Sequence, residues 1–158
     1  MQLGKEILGK YVDEEMQEAF LQIEDIDGLT PTAFERLIAH LLFVEGYSTD
    51  LTPTTKDYGA DVVAISNNEK KKSLLVQCKH TSNRETRLAS QGIQEILSAK
   101  GVYSKVHSID FEMVVVTNAM DYTAQAKETA SLNDVQLFAR SHIVKWLAEK
   151  PTKFSEIF

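Results

Sequence analysis

The stretch Asp57-Tyr58-Gly59-Ala60-Asp61-Val62-Val63-Ala64-Ile65, answered downstream by Ser73-Leu74-Leu75-Val76-Gln77-Cys78-Lys79, decides how this chain folds. Both runs are apolar and rich in β-branched residues, and Asn67-Asn68 supplies turn chemistry between them, so they predict two strands joined as a hairpin. A hairpin linking Ile65 to Ser73 sets Asp61 opposite Gln77. Side chains alternate along a strand, so Gln77 and Lys79 share a face, and cross-strand partners lie about 5 Å apart. An acid, an amide and a cation therefore converge at one end of the hairpin.

Working outward, Tyr47 to Leu51 reads as a further strand. Thr30-Pro31 is a helix start, a hydroxyl cap followed by proline at the first helical position; Phe34, Leu37, Ile38, Leu41 and Leu42 give that helix a buried face, and Gly46 ends it. Upstream, Leu3, Ile7, Leu8, Tyr11, Val12, Met16, Ala19, Phe20 and Ile23 recur at helical spacing among acids, which predicts an amphipathic helix over residues 1–28, packed on the domain or on a partner chain. Downstream, Leu88 to Ala99 reads as a helix ending at Gly101, and Phe111 to Thr117 as a central strand covered on both faces. A helix from Tyr122 to Leu132, a strand from Val135 to Phe138 and a helix from Ile143 to Leu147 follow, with Pro151 as a stop. This order predicts an α/β sandwich.

With 158 residues, 43% of them hydrophobic, the chain suits one domain that buries a core without disulfides or structural zinc. Cys78 is the single cysteine, which excludes an internal disulfide and predicts a reducing, cytoplasmic setting. No apolar run approaches the roughly 18 residues of a membrane span, and the N-terminus lacks the order of a signal peptide. The net charge of -6 is concentrated in residues 1–28, where two Lys face eight Asp or Glu. Between Lys56 and Lys105 the balance reverses, nine Lys or Arg against five acids, and this window contains the hairpin. Lys70-Lys71-Lys72 fits a solvated loop or a phosphate-binding patch equally well.

A carboxylate and an amide oxygen are hard ligands suited to Mg²⁺, and the backbone carbonyl of Cys78 offers a third oxygen. Lys79 beside such an ion is placed to orient or deprotonate a water and to offset charge on a phosphate, the pattern of metal-assisted hydrolysis. The competing structural account has Asp61 capping a turn, Gln77 satisfying a strand edge and Lys79 snorkelling to solvent. Asp57 reads as a turn initiator. His80 alternates to the opposite face from Lys79, His40, His107 and His142 lack metal-ligand spacing, and Trp146 reads as core.

Asp57-x-Gly59-x-Asp61, the Gln77-x-Lys79 triplet, the upstream Phe34-Glu35 helix and the strand Val114-Val115-Val116-Thr117-Asn118 together resemble the Mrr-like restriction endonuclease family of the PD-(D/E)xK nucleases. The resemblance runs from about Thr30 to Leu147. It implies a restriction-endonuclease-like fold, a mixed β-sheet core flanked by helices, over residues 29–150, with residues 151–158 as a tail. It also implies a Mg²⁺- or Mn²⁺-dependent endonuclease acting on DNA. By the same resemblance Asp61 matches the metal-binding aspartate and Lys79 the catalytic lysine. Gln77 falls where many relatives carry Glu or Asp, and Glu35 matches an acid on the first core helix that helps bind metal. Gln94 resembles a position some relatives use near substrate. The expected metal donors are thus Asp61, Gln77, Cys78 and Glu35. A neutral Gln77 also leaves open a non-catalytic DNA-binding or assembly module that retains the fold. No base-reading motif is evident, so specificity is expected from a homodimer, a partner protein or DNA shape.

Overall fold

The computed structural model describes residues 5–6, 11–52 and 58–157, with side chains for all of these except residues 5, 6, 11, 12 and 14. In chain order the elements are β1 (Lys5–Glu6), β2 (Tyr11–Val12), α1 (Glu14–Gln17), α2 (Ile23–Asp27), α3 (Pro31–Val44), β3 (Tyr47–Leu51), β4 (Val62–Ser66) and β5 (Leu74–Lys79). There follow β6 (Arg87–Leu88), α4 (Gln91–His107), β7 (Glu112–Thr117), β8 (Asp121–Tyr122), α5 (Ala124–Leu132), β9 (Val135–Phe138), α6 (Arg140–Glu149) and a 3-10 turn at Phe154–Ile157.

The hairpin forms in the expected register. Val62 pairs with Val76, Val63 with Leu75 and Ala64 with Leu74, all antiparallel. Its mouth is closed where the Ser66 N–H donates to Ser73 Oγ at 2.9 Å, and the Asn68 side chain accepts from Lys70 N–H at 2.9 Å inside the turn. The main sheet runs β3-β4-β5-β7-β9. Pairing is antiparallel from β3 to β5 and parallel from β5 through β7 to β9, so β5 is the strand where the sheet changes character.

Alternation along β4, β5 and β7 divides the core in two. Val62, Ala64, Val76, Cys78, Val114 and Val116 pack with α3 and Ile143 of α6 on one face; Val63, Leu75, Met113 and Val115 pack with Ile93, Ile96 and Ala99 of α4 and with α5 on the other. Each fully buried aliphatic or aromatic side chain here contributes about 1.5–3 kcal/mol relative to exposure. The α3 start is as the sequence predicts: Thr30 Oγ1 accepts from Ala33 N–H at 3.1 Å with Pro31 behind it, and the chain leaves the helix through Gly46 at φ +109°.

The helices expected from Leu88 and Tyr122 start later, at Gln91 and Ala124, because Leu88 and Tyr122 pair with each other as β6 and β8. Two larger expectations are corrected. The single amphipathic helix over residues 1–28 is not formed: the described part consists of the β1/β2 pair and two short helices. Asp13 breaks the pattern by accepting the Met16 N–H at 2.9 Å as an N-cap. Phe20 is then drawn into a bridge with Lys153, while Leu21 N–H donates to Thr152 O at 2.7 Å. Leu21, Ile26 and Leu29, with Phe154 and Ile157 of the C-terminal tail, enter the same core as α3, and that burial outweighs local helix propensity. The second correction concerns Gly101, which does not end α4. Tyr103 continues the buried stripe of Ile96 and Ala99, and the helix runs on to Ser108 in the left-handed region at φ +53°.

Candidate active site

The site is built at the carboxyl end of β5. The β4/β5 ladder ends at the Val62–Val76 pair, and just before it Asp61 N–H donates to Val76 O at 2.8 Å, which ties Asp61 to β5. Asp61 Oδ2 in turn accepts the Cys78 N–H at 2.8 Å. Both side chains are deeply set, Asp61 at 9% and Gln77 at 5% exposure. Gln77 Oε1 has no hydrogen-bond donor; among the described residues only it and Ser104 Oγ are buried in that condition. An orphaned buried amide oxygen costs about 1–3 kcal/mol, so its presence calls for an explanation beyond folding.

Lys79 lies on the same face as Gln77. Its ammonium is held by Glu95 of α4, with Nζ 2.8 Å from Oε2 and 3.0 Å from Oε1. The stem of Lys79 passes over Gly92: a Cβ added there would fall 3.3 Å from Lys79 Cγ and Cε and 3.1 Å from Val115 Cγ1. On the other flank Gly59, at φ +94°, touches the Glu95 backbone so closely that an added Cβ would stand 2.2 Å from the carbonyl oxygen. Two glycines thus seat α4 against the Asp61 turn and the Lys79 strand together. Between these parts is a cleft of about 550 Å³ lined by Tyr58, Gly59, Gln77, Lys79, Glu95 and Ser98.

Glu35 stands half-buried on α3, the opposite layer. Burial, and then the charges of Asp61 and Glu35, push the Cys78 thiol well up, so both carboxyls act on this end of β5. Cys78 itself pairs in the ladder with Val116, its sulfur buried on the α3 face. Asp57 lies outside the described residues. Gln94 is exposed on α4 and is not part of the cleft lining. His80 faces the α3 side, its Nε2 2.8 Å from Ile26 O and its ring 5.3 Å from that of Phe34. Trp146 is half-buried and donates from Nε1 to Glu45 at 3.0 Å.

Sequence reasoning missed Glu95 and a network just beyond the strand ends. Buried Asn118 accepts the Thr81 N–H at 2.8 Å and donates to Thr81 O at 2.7 Å, tying the segment after Lys79 to the end of β7. It also donates to Asp27, which Arg140 grips with both guanidinium nitrogens, one at 2.9 Å. Burial pushes the Asp27 carboxyl up, but the hydrogen bonds from Arg140 and Asn118 outweigh it and hold the group below the usual carboxylate range. These partners lie 91 and 113 positions apart in the chain, and no local signal announces them.

A five-stranded mixed sheet flanked by helices, with its cleft at the end of the hairpin strand, is the restriction-endonuclease-like class of fold. The restriction endonuclease family Mrr_cat matches residues 26–147, and the chain belongs to that family. Two solved structures are similar. DNA modification-dependent restriction endonuclease AspBHI aligns over 85% of this chain and 35% of its own at 17% identity, with a TM-score of 0.56. A repair endonuclease from Pyrococcus abyssi aligns over 62% of this chain and 40% of its own at 10% identity, with a TM-score of 0.45. The chain therefore spans well under half the length of either protein. No curated protein sequence matches it. Among the described residues, no helix is long and apolar enough to cross a membrane, and no three His, Cys, Asp or Glu side chains are grouped to hold a metal.

Proposed function

We propose that the chain is a divalent-metal-dependent endonuclease that hydrolyses DNA phosphodiester bonds. The observation that carries this reading is the orphaned Gln77 Oε1, buried beside the cleft that Gln77 lines with Lys79, one residue before the Cys78 N–H that holds the Asp61 carboxylate. The donor set fits the ion that the family implies: two carboxylates, from Asp61 and Glu35, with neutral oxygens from the Gln77 amide and the Cys78 carbonyl, all hard ligands. Mg²⁺ or Mn²⁺ held there would supply Lewis acidity toward the phosphodiester and its attacking water.

The protein's own groups do the rest. Asp61 is fixed by the Cys78 N–H, so its carboxylate is presented without rotamer search. Lys79 brings positive charge to the scissile phosphate and orients the attacking water, and Glu95 fixes the position of the ammonium beforehand. Gln77 contributes a dipole rather than a charge, so the site binds metal more weakly than one with Glu at that position. Cutting both strands takes two such sites, which a homodimer or a partner protein would supply.

Purified protein with Mg²⁺ is expected to nick or cut plasmid DNA, and Lys79→Ala to slow this by about 100-fold or more with the fold intact by circular dichroism. Undiminished cleavage by that variant would overturn the assignment. The ion-paired Lys79 and the neutral Gln77 favour one second reading, a DNA-binding or assembly module without cleavage. Calorimetry separates the two. Failure to bind Mg²⁺ or Mn²⁺, or binding indifferent to Asp61→Ala, supports the module.

A further inference from the structure

Tyr58 is a residue the proposed chemistry does not use, yet it borders the cleft. The residue is 55% exposed and its backbone lies at φ +45°, a left-handed conformation that an aromatic L-residue adopts only under strain. Strain of this kind persists where surrounding structure over-determines it, and the next residue, Gly59, has no room for a Cβ beside the Glu95 carbonyl. The ring itself is anchored. It meets buried Tyr103 edge-on at 6.2 Å and 78°, and Tyr103 stacks on His107 at 6.3 Å and 13°. Tyr58 is thus the exposed end of a row of rings.

This ring also stands between two different surfaces. On one side is the polar cleft with Gln77, Lys79 and Glu95. On the other is a trough of about 300 Å³ lined mainly by Leu51, Val63, Val102, Tyr103 and Val106. Leu51 and Val106 are 41% and 71% exposed, so the trough is open to a ligand. A nucleotide has the matching division, an anionic phosphate and a flat base with apolar faces. Base–aromatic stacking needs an uncovered face, which an intact duplex does not offer and an unpaired base does.

We propose that Tyr58 is a stacking platform for an unpaired nucleobase beside the scissile phosphate, so that the substrate of this cleft carries single-stranded nucleotides next to the cut. The inference rests on the nuclease reading above and narrows its substrate class. Exposed Tyr58 tolerates substitution without entering the core, and Tyr58→Phe keeps the stacking face while removing the hydroxyl.

The test is fluorescence anisotropy with Ca²⁺ in place of Mg²⁺, using a labelled duplex with and without a single-stranded flap. The wild-type protein should bind the flapped DNA more tightly. Tyr58→Ala should weaken that binding by about tenfold or more, leave the plain duplex unchanged, and be rescued by Tyr58→Phe. Equal weakening on both DNAs, or flap binding unaffected by Tyr58→Ala, overturns the platform while leaving the nuclease reading standing. A wild-type protein that binds neither DNA overturns both.

Discussion

Gly59→Ala is expected to be the most damaging single-methyl change in this protein, and its size follows from two separable terms. The first is conformational: φ of +94° is open to glycine and costs an L-residue about 1–2 kcal/mol. The second is steric. The new Cβ would stand 2.2 Å from the Glu95 carbonyl oxygen, well over 1 Å inside ordinary packing distance, and the obstacle is helix backbone that no rotamer change can move. Overpacking of this kind costs about 1–3 kcal/mol. Reduced freedom of the unfolded chain returns roughly 0.4–1 kcal/mol, leaving a net loss of about 1–4.5 kcal/mol.

Two other glycines isolate the terms. Gly46, at φ +109° with nothing within 4 Å of an added Cβ, carries only the conformational term, so Gly46→Ala should cost about 1 kcal/mol. Gly101, inside α4 and equally open, carries neither, so Gly101→Ala should stabilise by about 0.5–1 kcal/mol. Urea unfolding followed by circular dichroism reads all three as midpoint shifts at common slope. Because Glu95 holds Lys79, Gly59→Ala should also depress DNA cleavage, whereas Gly46→Ala should not. A Gly59→Ala midpoint no lower than that of Gly46→Ala refutes the close approach of α4 and the coupling built on it.

Replacing Gln77 by Met removes the orphaned amide at similar volume, so the metal-free fold should gain about 1–2 kcal/mol in urea unfolding while calorimetric Mg²⁺ binding is lost; a variant that is less stable sinks the claim that the amide is kept for a ligand. Asp27 is held below its usual 3.8, so its contribution is complete above that pH and is lost as pH falls through the lower folded value. Asp27→Asn should therefore cost stability at pH 7 and progressively less as pH falls below 3.8, and a penalty independent of pH would exclude an ionic role. Cys78 is buried with its thiol pushed up, so thiol reagents at pH 8 should label it only in denaturant, and rapid labelling of the native protein would contradict its place in the core.

The hairpin register was legible because it depends on local information: two apolar runs, a turn between them, and alternation that makes any other register turn the core outward. The pairing of Val62 with Val76 is the one that the Ile65-to-Ser73 connection predicts. Residues 1–28 depart from the expected helix for the opposite reason. Their helical spacing is real, but Phe20 and Leu21 are claimed by Lys153 and Thr152 at the far end of the chain, and spacing carries no record of such partners. Gly101 misled because a glycine signal weighs about 1 kcal/mol, less than the continued burial of Tyr103 on the same stripe.

The same distinction explains why Glu95 could not be found from the sequence although Lys79 could. Lys79 has a position in a strand motif, whereas Glu95 is one of several charged or polar residues on a helix, and only the approach of α4 selects it. That approach is set by Gly59 and Gly92, and neither glycine carries a local signal of it in the sequence. Here the two glycines fix the distance between layers, and with it the place of the Lys79 ammonium. If the ion pair were merely a surface contact it would be worth little, and moving α4 would leave cleavage unchanged. The geometry makes the opposite demand: Gly92→Ala, which presses 3.3 Å from two carbons of the Lys79 stem, should impair cleavage more than it impairs stability. Loss of activity only in proportion to loss of fold would show that α4 supports the sheet and not the lysine.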